Sequence, residues 1–330
     1  MKKRIVLASA AAVTATIAWA AVSVGPVSGS SLDFPTLFGG TTGVSAAFPD
    51  CTVTGSGITV TAGTDCNIQP DVQTVTVYKM ALCTAKPSAP TAAAATSLSA
   101  CSTIFESTSA TGSPVNIVLN TLASLPNGTV TKPANGTYNY LYVEVDPEVK
   151  IQASVQFSSA MGDANGVTTG AYCWSKAETT YNFSNNFSGP FPAATECGAS
   201  APSGTSVGAT SSLYNSLMDD SGIGSGTGFT NSFVNLPTTA GGASTLDAYV
   251  LDTNGKLLTT QTVNSIGGAK RVVGIMTLPS GGVTVTDATS SIVLGYNNSK
   301  GAQISTQSGV TPTRVTKFGN GPFDMTVTAQ

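Results

Sequence analysis

The stretch YLYVEVDPEVKIQASVQF, residues 140–157, decides how the rest of the chain reads. Leu141, Val143 and Val145 alternate with Tyr140, Tyr142 and Glu144. Beyond Pro147, Val149, Ile151, Ala153, Val155 and Phe157 alternate with Lys150, Gln152, Ser154 and Gln156. A period of two marks a half-buried strand, because successive side chains face opposite ways. Asp146-Pro147-Glu148 reads as a turn or strand break between two such runs, since proline fixes φ and brings no ladder donor. The same stretch holds the densest group of acids in the chain. Residues two apart in a strand share a face at roughly 6.5–7 Å. Glu144 and Asp146 are therefore the candidate acidic site, at a spacing compatible with an inverting glycosidase pair. The flanking Tyr140 and Tyr142 suit the solvated face of a strand equally well, and that plainer reading is favoured.

The same grammar recurs outward from this stretch. VQTVTVYKMAL (72–82) sets Val75 and Val77 against Thr74, Thr76 and Tyr78. Short strands are expected at 245–251, 256–263, 270–278, 282–288 and 290–296, mostly separated by Gly, Pro, Asn and Ser. The chain ends in FDMTVTAQ, with Phe323, Met325, Val327 and Ala329 on one face. The main helical candidate is SSLYNSLMDDSG (211–222), granted one or two turns. Two stretches, 86–100 and 198–212, are rich in Pro, Ala, Ser, Thr and Gly and read as long loops. These patterns predict an all-β protein of Ig-like or jelly-roll-type β-sandwich domains. Two domains are expected, residues 21–205 and 206–330, with a soft boundary near 198–212. A single larger sandwich is the alternative.

The chain opens MKKRIVLASAAAVTATIAWAA. Lys2, Lys3 and Arg4 precede an apolar run, and Ala18-Trp19-Ala20 supplies a small-x-small cleavage site, so residues 1–20 read as a secretory signal peptide. No second long apolar run follows, so no transmembrane segment is expected in the mature chain, which is placed outside the cell or at its surface. Only 9% of residues are charged, against about 25% in ordinary domains. Without the leader, 11 basic residues face 17 acidic ones, which disfavours nucleic acid as a partner. Cys51, Cys66, Cys83, Cys101, Cys173 and Cys197 make an even set, as export into an oxidising compartment requires. Several connectivities are open. Sequential pairing is favoured because each neighbouring pair flanks one turn-rich loop.

The chain contains no histidine. That removes the imidazole base of Ser-His-Asp and Cys-His catalysis and the histidine-ligated metal sites. No lysine has a serine three residues before it, and no C-x-x-C occurs, so no metal and no cofactor are expected. DANG (163–166) and DTNG (252–255) resemble the start of calcium loops but lack the closing glutamate, so they read as turns. Sequons stand at Asn127, Asn135, Asn182, Asn186 and Asn297. Trp174, beside Cys173, is read as packing over a disulfide rather than as a platform for sugar.

What remains is contact. Monomeric β-proteins blunt their sheet margins with lysine, proline or inward charge. The final strand has one acid and no lysine, and residues 21–40 carry a single charged side chain, Asp33. Either terminus is thus a candidate for strand addition to a neighbouring subunit, although completing its own sheet is the simpler outcome. The expectation is a secreted, non-enzymatic structural subunit of a fibre, sheath or surface layer, or an adhesin. Its partners would be copies of itself, other surface proteins or glycans. The alternative is a secreted carbohydrate-binding module or carboxylate-dependent hydrolase using Glu144 and Asp146.

Overall fold

The computed structural model describes residues 22–26, 50–118, 123–177, 195–213, 232–237, 245–258, 269–279, 281–297, 300–320 and 324–330. Every regular element among them is a strand. Two large sheets dominate. The first runs in the order Ser232–Pro237, Thr245–Leu251, Arg271–Thr277, Tyr140–Gln152, Val72–Cys83, Cys101–Ser107 and Gly128–Val130, with Thr210–Leu213 and Ser113–Ile117 paired off this path. The second runs Thr195–Gly198, Thr169–Ser175, Ser154–Gly162, Arg314–Asn320, Ala302–Gln307 and Asp65–Ile68, with the hairpin Thr52–Thr54/Gly57–Thr59 attached to Ser154–Gly162.

The two sheets face each other across one apolar core. Leu141, Val143, Val145, Val149 and Ile151 from the first share a buried cluster with Phe157, Met161, Ile304, Val315 and Phe318 from the second. This is a sandwich, and the alternation of valines and isoleucines supplies its inner faces. Truncating a fully buried member such as Leu141 costs about 2–5 kcal/mol, so this layer outweighs any single surface contact.

The opening stretch folds differently from its sequence reading in two places. Tyr140–Gln152 is one continuous strand through Pro147. Val145 stands opposite Val77 and Val149 opposite Val75, so residues 146–148 bulge out of the ladder. A proline without an N–H is accommodated at a bulge, where the ladder is already interrupted. The run 149–157 is, in contrast, broken at Ala153. Residues up to Gln152 belong to the first sheet and those from Ser154 to the second. Ala153 is fully buried, and its N–H is held by the Ser175 hydroxyl at 3.0 Å.

The helical expectation also changes. Ser211–Leu213 lie in a strand paired antiparallel to Glu148–Ile151, because the sheet offers backbone partners that an isolated helical turn lacks. The remainder of 214–222 lies outside the described residues, as do 259–263 of the expected strand 256–263. Strands from either side of 198–212 pair with one another: Arg271–Thr277 with Tyr140–Gln152, and Ala302–Gln307 with Asp65–Ile68.

Three disulfides join Cys51 to Cys66, Cys83 to Cys101 and Cys173 to Cys197, the sequential pairing. Cys83 and Cys101 are directly opposed across neighbouring strands, as are Cys173 and Cys197. Such bonds are the chemistry of an oxidising compartment. Among the described residues no helix is long and apolar enough to cross a membrane.

Candidate functional site

The outer face of the first sheet carries a second, smaller apolar cluster of Ala81, Cys83, Tyr142, Tyr249, Val273 and Ile275, with Leu251. Part of its cover is the loop between Cys83 and Cys101, in which Pro87 and Pro90 are buried and Leu98 packs on the cluster. The loop is further pinned by a bridge between Ala95 and Lys256. The expected solvated face is therefore half covered. Tyr142 is 4% exposed.

At one end of this cluster the carboxylates gather. Glu144 pairs in register with Lys79 and Val145 with Val77, so Tyr78 is an extra residue in its strand. Bulges of this kind re-aim a side chain. Tyr78 donates its hydroxyl to Asp146 Oδ2 at 2.9 Å, while the backbone N–H of Glu148 donates to Asp146 Oδ1 at 2.8 Å. Tyr142 donates to Glu144 Oε2 at 3.1 Å, and Arg271 Nε lies 3.3 Å from Glu144 Oε1. The Arg271 guanidinium sits 3.3 Å over the Tyr78 ring centroid. Further along the same face Lys86 pairs with the buried Asp247 at 2.7 Å, and Tyr249 donates to the same oxygen at 3.4 Å.

Burial, together with the neighbouring carboxylates, pushes the phenols up: Tyr78, next to Asp146, to about 12, and Tyr249, next to Asp247, to about 12. Tyr142, buried beside Glu144, rises further. All three remain donors at neutral pH. Glu144 and Asp146 thus do share a face with aromatic residues, yet each carboxylate already has partners on both oxygens. Trp174 is not among them. It is buried in the second sheet beside the Cys173–Cys197 bridge, with its ring against Gly198.

A polar concavity of about 370 Å³ lies at the far margin of the first sheet, bordered by Thr103, Glu106, Thr129, Thr131 and Lys132. Lys132 Nζ donates to the carbonyls of Asp287 and Thr289 at 3.2 and 2.8 Å, and Glu106 pairs with Lys79 at 2.8 Å. The turn at 163–166 closes on its own aspartate. Asp163 accepts the N–H groups of Asn165, Val167 and Thr168 and the Thr168 hydroxyl. Burial works to raise its pKa, but these bonds together hold the carboxyl below the usual range. At 252–255, Asp252 accepts the N–H groups of Asn254 and Lys256 in the same way.

The two chain ends meet in a third, small sheet, ordered Asp324–Ala329, Ile292–Asn297, Val22–Pro26 and Ala123–Ser124. Asp324–Ala329 runs antiparallel to Ile292–Asn297, setting Met325, Val327 and Ala329 opposite Tyr296, Leu294 and Ile292. Phe323 lies outside the described residues. Val22–Pro26 runs parallel to Ile292–Tyr296 in five successive pairs. Both termini accordingly pair within their own chain. Asp324–Ala329 ends the order, and among the described residues no strand pairs with its outer margin.

No protein-family model matches the chain, and no curated protein or solved structure matches it.

Proposed function

We propose that the chain is an exported, non-enzymatic structural subunit of a fibre, sheath or surface layer, or of an adhesive surface, working by contact through its sheet margins. The observation that carries this reading is the open margin of Asp324–Ala329. Its sequence, DMTVTA, contains one acid and neither lysine nor proline, the devices by which monomeric proteins guard an edge. The leader-like opening, the scarcity of charge and the closed disulfides accord with it. The hydrolase alternative asks for a carboxyl free to protonate a leaving group and a second free to activate water. Asp146 is held by Tyr78 and the Glu148 N–H, and Glu144 by Tyr142 and Arg271, so neither acid is free.

The test is negative-stain microscopy and gel filtration of the exported chain, intact and trimmed of residues 323–330. Assembled particles that shorten or vanish on trimming support the reading. Monomers at every concentration, trimmed or not, count against it.

A further inference from the structure

We propose that Val22–Pro26 is exchanged between copies, so that this segment of one chain fills in the next the slot between Ile292–Asn297 and Ala123–Ser124. The proposal rests on the assembly reading above and names its partner: a second copy of this chain.

The slot requires an occupant. Val22–Pro26 sits inside the small sheet, with five parallel pairs on one side and Ser23↔Ser124 and Val24↔Ala123 on the other. Val22 and Val24 stand in register with Ile292 and Leu294, which are fully and almost fully buried. Withdrawing the segment would leave the N–H and C=O groups along one side of a core strand without partners, a costly state for backbone at a buried margin.

The tether permits a donor from outside. Residues 27–49, VSGSSLDFPTLFGGTTGVSAAFP, separate the segment from Asp50. Fully extended they reach about 80 Å, whereas a compact chain of this length is about 50 Å across. The other terminal strand has no such reach. Only residues 321–323 join it to Arg314–Asn320, and the Gln330 carbonyl accepts the N–H groups of Ser290 and Ser291 at 2.6 and 3.1 Å. Of the two ends, the N-terminal one can leave home.

Donation within a chain and between chains makes the same backbone pairs, so the order of events selects between them. The segment begins two residues after Ala20, where the leader is expected to be cut. In the proposed order, the leader keeps the segment from its slot until that cut, and the rest of the chain folds first. Each chain then gives a strand at one place and receives one at another. Passed head to tail from copy to copy, that is a heterologous contact, which propagates into open filaments unless the rotation closes a ring.

The test is the full chain, exported with its leader, carrying Ser23→Cys and Ser124→Cys, resolved under non-reducing denaturing conditions. Exchange gives a ladder of covalent multimers, and mixing the two single variants gives covalent dimers. Cross-linking confined to monomers overturns the exchange. If filaments still form in that case, the structural-subunit reading survives on its own. Absence of any cross-link in protein that retains its three native disulfides also overturns the exchange. A second variant lacking residues 22–26 should keep its strand signal by circular dichroism but melt at a lower temperature, stop assembling, and bind a synthetic VSVGPVSG peptide. Unchanged assembly of this variant is a further contradiction.

Discussion

The Arg271 guanidinium lies 3.3 Å above the ring of Tyr78 and its Nε 3.3 Å from Glu144. One side chain thereby links the strand Arg271–Thr277 to both of the strands beyond it, Tyr140–Gln152 and Val72–Cys83. Arg271→Ala removes the cation from the ring and leaves a three-quarters-buried Glu144 without its countercharge. A largely buried pair of this kind, with a stacked ring, is worth about 1–3 kcal/mol. Urea denaturation of the variant should show that loss, and Arg271→Lys should recover only part of it because a point charge cannot reproduce the planar stack.

The raised phenols set an alkaline limit. Tyr78 and Tyr249 titrate near 12 in the fold, against 10.0 for an ordinary phenol, and Tyr142 is displaced the same way. A pKa raised on folding contributes stability that is complete below the unfolded value and is lost as pH climbs towards the folded one. Stability should therefore fall between about pH 10 and 12. Absorbance titration of tyrosine should show a lagging class that joins the ordinary one on unfolding. In Tyr78→Phe and Tyr142→Phe the lagging class should shrink.

Replacing Cys173 and Cys197 together by serine should lower stability by about 3.5 kcal/mol, the loop-closure value for a bridge of this span. Both cysteines are buried, so the loss will not be smaller than for an exposed bridge. Differential scanning calorimetry of the variant reads it directly.

Gly170→Ala should destabilise for a reason of space alone. A Cβ there would run into the carbonyl of Gly198 on the neighbouring strand. Overpacking against backbone costs about 1–3 kcal/mol. Gly204→Ala, with nothing near its added Cβ, is the control and should be neutral in chemical denaturation.

Strand periodicity made the sandwich legible, because Val75, Val77, Leu141, Val143, Val145, Val149 and Ile151 are buried where alternation placed them. What eluded it was non-local. Alternation runs unbroken from Val149 to Phe157, so nothing in the pattern marks the crossing between sheets at Ala153. Pro147 interrupts a ladder in the same way at a turn and at a bulge, and only the partner strand distinguishes them. Tyr140 and Tyr142 looked solvated because their cover arrives from a loop some forty residues earlier. Its signal was present in the sequence as two prolines, Pro87 and Pro90, and Leu98 inside a disulfide-closed segment. The partners of the candidate carboxylates, Tyr78 and Arg271, come from other strands, Tyr78 through a bulge that leaves no mark in composition. The terminal segments were legible as strands, while their meeting in one sheet was not, since a parallel pair between Val22–Pro26 and Ile292–Tyr296 joins opposite ends of the chain.

Sedimentation velocity of the disulfide-intact chain over a hundredfold range of concentration tests the central claim most directly. Contact between copies through strand margins predicts species that grow without a fixed upper size as concentration rises. A single boundary at the mass of one chain across the whole range would contradict it.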